Sequence, residues 1–233
     1  MKKILTVIAA STVIALVAGQ AQAFGLPKIP GAGALGAVTG GGTAVDVDGF
    51  MAKAALTNQL FKESRTQLAL MMGDKTQVAE LQALLDTLKN TSDPKEREAL
   101  LQKIQVVNEQ VLAAGKADQD AVAARLAAAS DESKAKAKAA AANFALAALQ
   151  ATELAPAGQS ALTSLTSNPV QAAKLATKIG SIKALISDIT GIVGNSTMAL
   201  TELPSIMSKA KIKVEMPKSA ASKPEEASRL LGG

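Results

Sequence analysis

From residue 47 to near residue 200, apolar side chains recur in steps of three and four, and almost nowhere in strict alternation. That period matches the α-helix and excludes a sheet, whose half-buried strands need a repeat of two. Val78, Leu81, Leu85 and Leu88 form one such seam, and Leu100, Ile104, Val107, Val111 and Ala114 another. Phe50, Phe61, Leu68 and Met71 fall near one face of an earlier segment. The most regular series is Ala172, Leu175, Ile179, Ile182, Ile186, Ile189 and Val193, with Leu185 and Ile192 widening the face. The expected fold is therefore all-α, an elongated antiparallel bundle of about four to five helices.

Punctuation places the helix ends. Asp46 or Asp48 suits the start of the first helix and Gly73 its end, and a second helix begins after Asp74. Asp93-Pro94-Lys95-Glu96 combines an N-cap, a proline at the first helical position and a glutamate at the reach-back position of a capping box. Gly115 marks the end of that third helix. Residues 116–153 are rich in alanine and predict one long helix, on the order of 55 Å if unbroken. Within it Glu132 and Lys136 form a favourable i,i+4 pair on a solvated face. Pro156-Ala157-Gly158 predicts a break, and Asn168-Pro169 a restart. Gly180, Gly191 and Gly194 are costly inside a helix and suggest close approach or bending.

The two ends have a different character. Met1-Lys2-Lys3, the apolar run Ile4–Ala18 and the ending Ala21-Gln22-Ala23 read as a secretory signal peptide over residues 1–23. The run is shorter than the roughly 20 residues a spanning helix needs. Residues 24–45 form a Gly/Pro-rich flexible arm. Gly31-x-Gly33-x-x-Gly36 matches a dinucleotide fingerprint in form only, since two prolines precede it where a strand is required. Residues 46–203 are the expected bundle domain, and 204–233 a basic, Pro-containing tail. Its Lys209–Glu215 stretch is open to a short strand, a basic helical turn or disorder, and Met216–Gly233 is expected to be loosely ordered.

Composition bounds the chemistry. The 233 residues contain no Cys and no His, so thiol catalysis, imidazole acid–base catalysis and N/S-type zinc sites are excluded. No Trp or Tyr and only 4 Phe leave few platforms for stacking on bases or sugars, and a net charge of +5 is too small to argue for nucleic acid. No catalytic, cofactor-binding or metal-ligating residues are assigned, and no cofactor or small-molecule substrate is expected. Charges are sparse between residues 154 and 208.

These features together lead to the expectation of an exported, non-enzymatic helical interaction or scaffold protein of the bacterial envelope, periplasmic or extracellular. A protein partner or self-association is expected. The candidate packing or partner seam is Leu175, Ile179, Ile182, Ile186, Ile189 and Val193. The alternative is a membrane-active helical protein using residues 170–200 and the Gly-rich arm, similar in outline to α-helical pore-forming proteins. Lys183 and Asp188 weigh against simple spanning. So does a polar face that offers Lys174, Lys178 and Lys183 and little else, because interfacial helices are rich in cations there. If the seam is core, Ile182→Asp or Ile186→Asp lowers stability by several kcal/mol through a buried unpaired charge. An unchanged thermal melt in both variants rejects the core assignment.

Overall fold

The computed structural model describes residues 46–167, 176–226 and 230–231. The signal peptide, the Gly-rich arm, the Asn168-Pro169 restart, Ala172 and Leu175 lie outside the described residues. Among those described, every regular element is a helix: α1 (Val47–Met72), α2 (Lys75–Asn90), α3 (Pro94–Ala117), α4 (Gln119–Ala128), α5 (Asp131–Thr166) and α6 (Ala176–Gly194). A π-helical turn, Met198–Glu202, leads straight into the short α7 (Leu203–Lys209).

The caps explain the boundaries. Asp46 accepts from Gly49 N at 2.8 Å, and Asp74 and Gln77 complete a reciprocal capping box at 2.9 and 3.1 Å. Asp93 accepts from Lys95 N and Glu96 N, with Pro94 at the first helical position. Each satisfies donors that a helix start leaves without an internal partner. Two helix C-termini are served by arginines from elsewhere. Arg97 donates to the carbonyls of Leu88 and Thr91 at the end of α2, and Arg125 to that of Met72 at the end of α1.

The alanine-rich stretch differs from the expected single helix. It is cut at Asp118, which caps α4 by accepting from Ala121 N at 3.0 Å, and again at Ser130, which accepts from Ser133 N. Beyond that, α5 runs through Pro156 to Thr166 instead of breaking. A proline inside a helix costs about 3 kcal/mol, and packing offsets it here. Leu154, Gly158, Ala161 and Leu165 are all buried around it. Pro204 sits in the first turn of α7, where its missing N–H is no loss, so it begins a helix and the bundle extends to Lys209.

The central pair is α1 with α5. Residues 63–69 of α1 and 140–148 of α5 are buried around their whole circumference. Phe61 and Phe144 stack between them with centroids 5.0 Å apart and ring planes at 22°. α6 packs on α5 and α1, α3 packs on α1 and α2, and α4 on α7. Surface pairs tie the ends: Lys178 to Asp48 at 3.0 Å, Lys209 to Asp120 at 2.7 Å, and Lys116 to Glu202 at 3.0 Å. The Glu132–Lys136 pair forms at 2.6 Å on an exposed turn of α5, and Lys136 holds the Glu132 carboxyl below its ordinary range.

The glycines divide in two. A Cβ on Gly158 meets Ile186 Cγ1 at 2.8 Å and Phe50 Cζ at 2.8 Å, so α5 approaches α1 and α6 there too closely for a larger residue. Gly180, Gly191 and Gly194, in contrast, face open space and mark no close approach. They are exposed, so their only effect is the helix-propensity cost. Gly180→Ala and Gly191→Ala are each expected to raise unfolding free energy by about 0.5–1 kcal/mol. Gly158→Val is expected to lower it by about 1–3 kcal/mol through overpacking. Urea unfolding followed by circular dichroism measures both, and a Gly158→Val protein as stable as the parent contradicts the close packing.

Candidate functional site

The seam on α6 divides by burial. Ile182 and Ile189 are fully buried, and Ile192 with them. Ile179, Ile186 and Val193 are half-buried and pack against the same core. The described members thus lie together on the face that α6 turns to α5 and α1, with Ile186 seated over Gly158. Leu175 is not among the described residues. Lys183 is exposed, and Asp188 accepts a hydrogen bond from the Asn58 side chain of α1. The opposite face of α6 presents Gly180, Ser181, Ala184, Ser187, Thr190 and Gly191 to solvent.

A second arrangement was not foreseen from the sequence. After α7 the chain has no regular secondary structure through residues 212–226. It lies over α5 as a strap, fixed by helix side chains that bond its backbone. Asn143, 2% exposed, donates to the Glu225 carbonyl at 2.9 Å and accepts from Glu225 N at 2.7 Å. One side-chain amide therefore matches both backbone groups of one residue, as a neighbouring strand would. Seven residues further along the same helix, Gln150 donates to the Ala220 carbonyl at 3.1 Å. Thr57 of α1 donates to Gln150 Oε1 at 3.2 Å, which fixes the amide so that its nitrogen points to the strap.

The chain end is held in the same manner. Glu63, 8% exposed on α1, accepts from Leu230 N at 2.7 Å with one carboxylate oxygen and from Leu231 N at 3.1 Å with the other. A buried carboxylate needs such partners, and two N–H donors supply them without a cation. The segment also makes side-chain contacts with the helices, Val214 and Leu230 packing against the core that Ile212 and Leu231 join. Ile212, Ala220 and Leu231 are buried, and Glu215 pairs with Lys138 at 3.3 Å across an exposed gap.

The surface beneath the strap is distinct from the main core. Ala142, Ala145 and Leu146 of α5 are buried with Ala220, but they stand outside the continuous apolar cluster that links the helices. An open cleft of about 180 Å³ remains between strap and helix, lined among others by Ala142, Asn143, Leu146, Pro217 and Ser222. Near the chain end a smaller cavity of about 40 Å³ is lined by Arg65, Thr66, Ile104, Asn108 and Leu231. Arg65 pairs with Glu109 at 3.2 Å and lies over the Phe61 ring at 5.7 Å. Burial lowers its pKa and Glu109 opposes that shift, so the guanidinium stays charged. Asn108 donates to Thr66 Oγ1 at 2.9 Å. Both spaces fall below the roughly 300–1,000 Å³ of small-molecule pockets. Among the described residues no group of three acidic side chains is assembled that could hold a metal ion.

No protein-family model matches this chain, and neither a curated protein nor a solved structure matches it significantly. The reading of the site therefore rests on its geometry alone. Asn143→Ala removes both bonds to Glu225 and is expected to cost about 1–2 kcal/mol. Cleavage by trypsin after Lys213 and Lys218 should accelerate while the helical signal persists. Glu63→Gln should release the chain end, because its amide nitrogen repels one of the two N–H donors. Unaltered cleavage rates in both variants mean that these side chains do not hold the strap.

Proposed function

We propose that the chain is a non-enzymatic helical interaction protein of the bacterial envelope, exported by its N-terminal signal and acting by holding polypeptide. The observation that carries this reading is the face of α5 and α1 that grips a non-helical segment by its backbone. Asn143, Gln150 and Glu63 read carbonyl and N–H groups that every polypeptide has. A rigid helical bundle is a suitable frame for such a surface, since side chains on packed helices keep their spacing. The absence of His and Cys from the whole sequence supports the same reading, because the commonest acid–base and nucleophilic groups are missing.

One observation favours a membrane-active alternative: the outward face of α6 is small and weakly charged, with three glycines facing open space. Against it, no helix among the described residues is long and apolar enough to cross a membrane. The apolar seam of that helix is also occupied by α1 and α5. Liposome flotation of the purified protein distinguishes the two, with vesicles of neutral and of anionic lipid. The interaction reading expects the protein to stay in the soluble fraction with both. Co-flotation with either rejects that reading in favour of the alternative.

A further inference from the structure

We propose that the cavity between α1, α3 and the chain end is a binding site for an internal water molecule, which joins Arg65 of α1 to Asn108 of α3. Two enclosed polar atoms and the commitments of their neighbours lead to it.

The cavity of about 40 Å³ is lined by Arg65, Thr66, Gln105, Asn108 and Leu231 among others. Arg65 is 8% exposed and Asn108 2%. Arg65 Nε and Asn108 Oδ1 are both buried, and neither has a hydrogen-bond partner within the chain. A donor and an acceptor enclosed in this way are costly unless something bonds them.

Turning a side chain over does not serve either atom. The Thr66 hydroxyl donates its one proton to the Lys62 carbonyl at 2.8 Å, so toward Asn108 it can only accept. It accepts from Asn108 Nδ2 at 2.9 Å, and this fixes which end of the amide is nitrogen and which is oxygen. Arg65 is committed as well. One of its terminal nitrogens pairs with Glu109 at 3.2 Å, and its guanidinium lies over the Phe61 ring at 5.7 Å. Both contacts restrain the guanidinium, and its Nε–H is left over.

The two leftover groups define the ligand. Nε–H donates and Oδ1 accepts, so the occupant has to accept one hydrogen bond and donate another. An anion is repelled by the amide oxygen, and a cation by the guanidinium. A neutral molecule with both capacities fits. The volume exceeds the ~10–15 Å³ that one water requires and falls far below the size of small-molecule pockets. The water therefore ties α3 to α1 where the chain end lies on them. Leu231, whose N–H is held by Glu63, supplies a wall of the site.

Crystals of the purified protein soaked in bromide read the occupant directly. The expected result is a density peak within about 3.2 Å of both Arg65 Nε and Asn108 Oδ1, with no anomalous signal at the bromine edge. An anomalous peak at that position makes it an anion site and overturns the proposal, as does the lack of any peak. In solution, the Arg65 Nε–H should show a dipolar cross-peak to water in a rotating-frame NMR experiment, where its sign separates it from proton exchange. Asn108→Leu removes the acceptor and takes up the space, so the cross-peak should vanish while circular dichroism remains helical. A parent protein without the cross-peak overturns the site, and so does a folded Asn108→Leu protein that keeps it. If Asn108→Leu fails to fold, the density and the cross-peak of the parent decide.

Discussion

Everything else in the structure is arranged around the contact between α1 and α5. Alanine is what allows it. A helix lined by Ala137, Ala140, Ala141, Ala147, Ala148 and Ala151 buries little area per residue, but its backbone comes close to its neighbours. Dispersion and close packing then replace the area that larger side chains supply elsewhere. Phe144 is the one bulky group in that stretch facing the centre, and it meets Phe61 face to face. With so few aromatics in the chain, a single stacked pair sets the register of the two central helices.

Close packing around α5 has a consequence for its outer face. A helix flanked by α1 and α6 normally keeps one solvated side, yet residues 140–148 are buried throughout. The strap supplies the missing cover. It does so mostly with backbone polar groups, which is why polar side chains of the helices, Asn143 and Gln150, are needed beneath it. The same reasoning applies at Glu63, which is enclosed on α1 and satisfied by backbone donors from the chain end. Core and strap are thus linked: the close approach of the central pair leaves an exposed flank, and the tail completes it.

How much of this was legible in the sequence varied with the range of the interaction. Helix starts at Asp74 and Asp93 were readable because cap and capped N–H lie three residues apart. The series Ile179, Ile182, Ile186, Ile189 and Val193 on α6 was readable as a face, since period alone defines it. The cuts at Asp118 and Ser130 carried the same local signal, but alanine propensity across the segment outweighed it in the reading. Pro156 misled in the other direction, because the packing that holds its helix together comes from α1 and α6 and has no local trace. The strap was the least legible. Asn143 and Glu225 are 82 positions apart, and in sequence Asn143, Gln150 and Glu63 look like ordinary surface residues of amphipathic helices. Nothing in their spacing shows that a tail covers them.

Enclosed polar side chains of this type constrain what can cover them. An apolar helix laid on the same flank would leave Asn143 and Glu63 buried without partners, at about 1–3 kcal/mol each. A second helix with its backbone already bonded internally has no N–H or carbonyl groups to offer in mid-length. Only a segment with free backbone donors and acceptors satisfies both faces of the Asn143 amide and both oxygens of Glu63 together. The residues that look least functional in the sequence therefore define the chemistry of this flank most narrowly: its polar groups are met by the non-helical tail of the same chain, whose backbone donors and acceptors are not used within a helix.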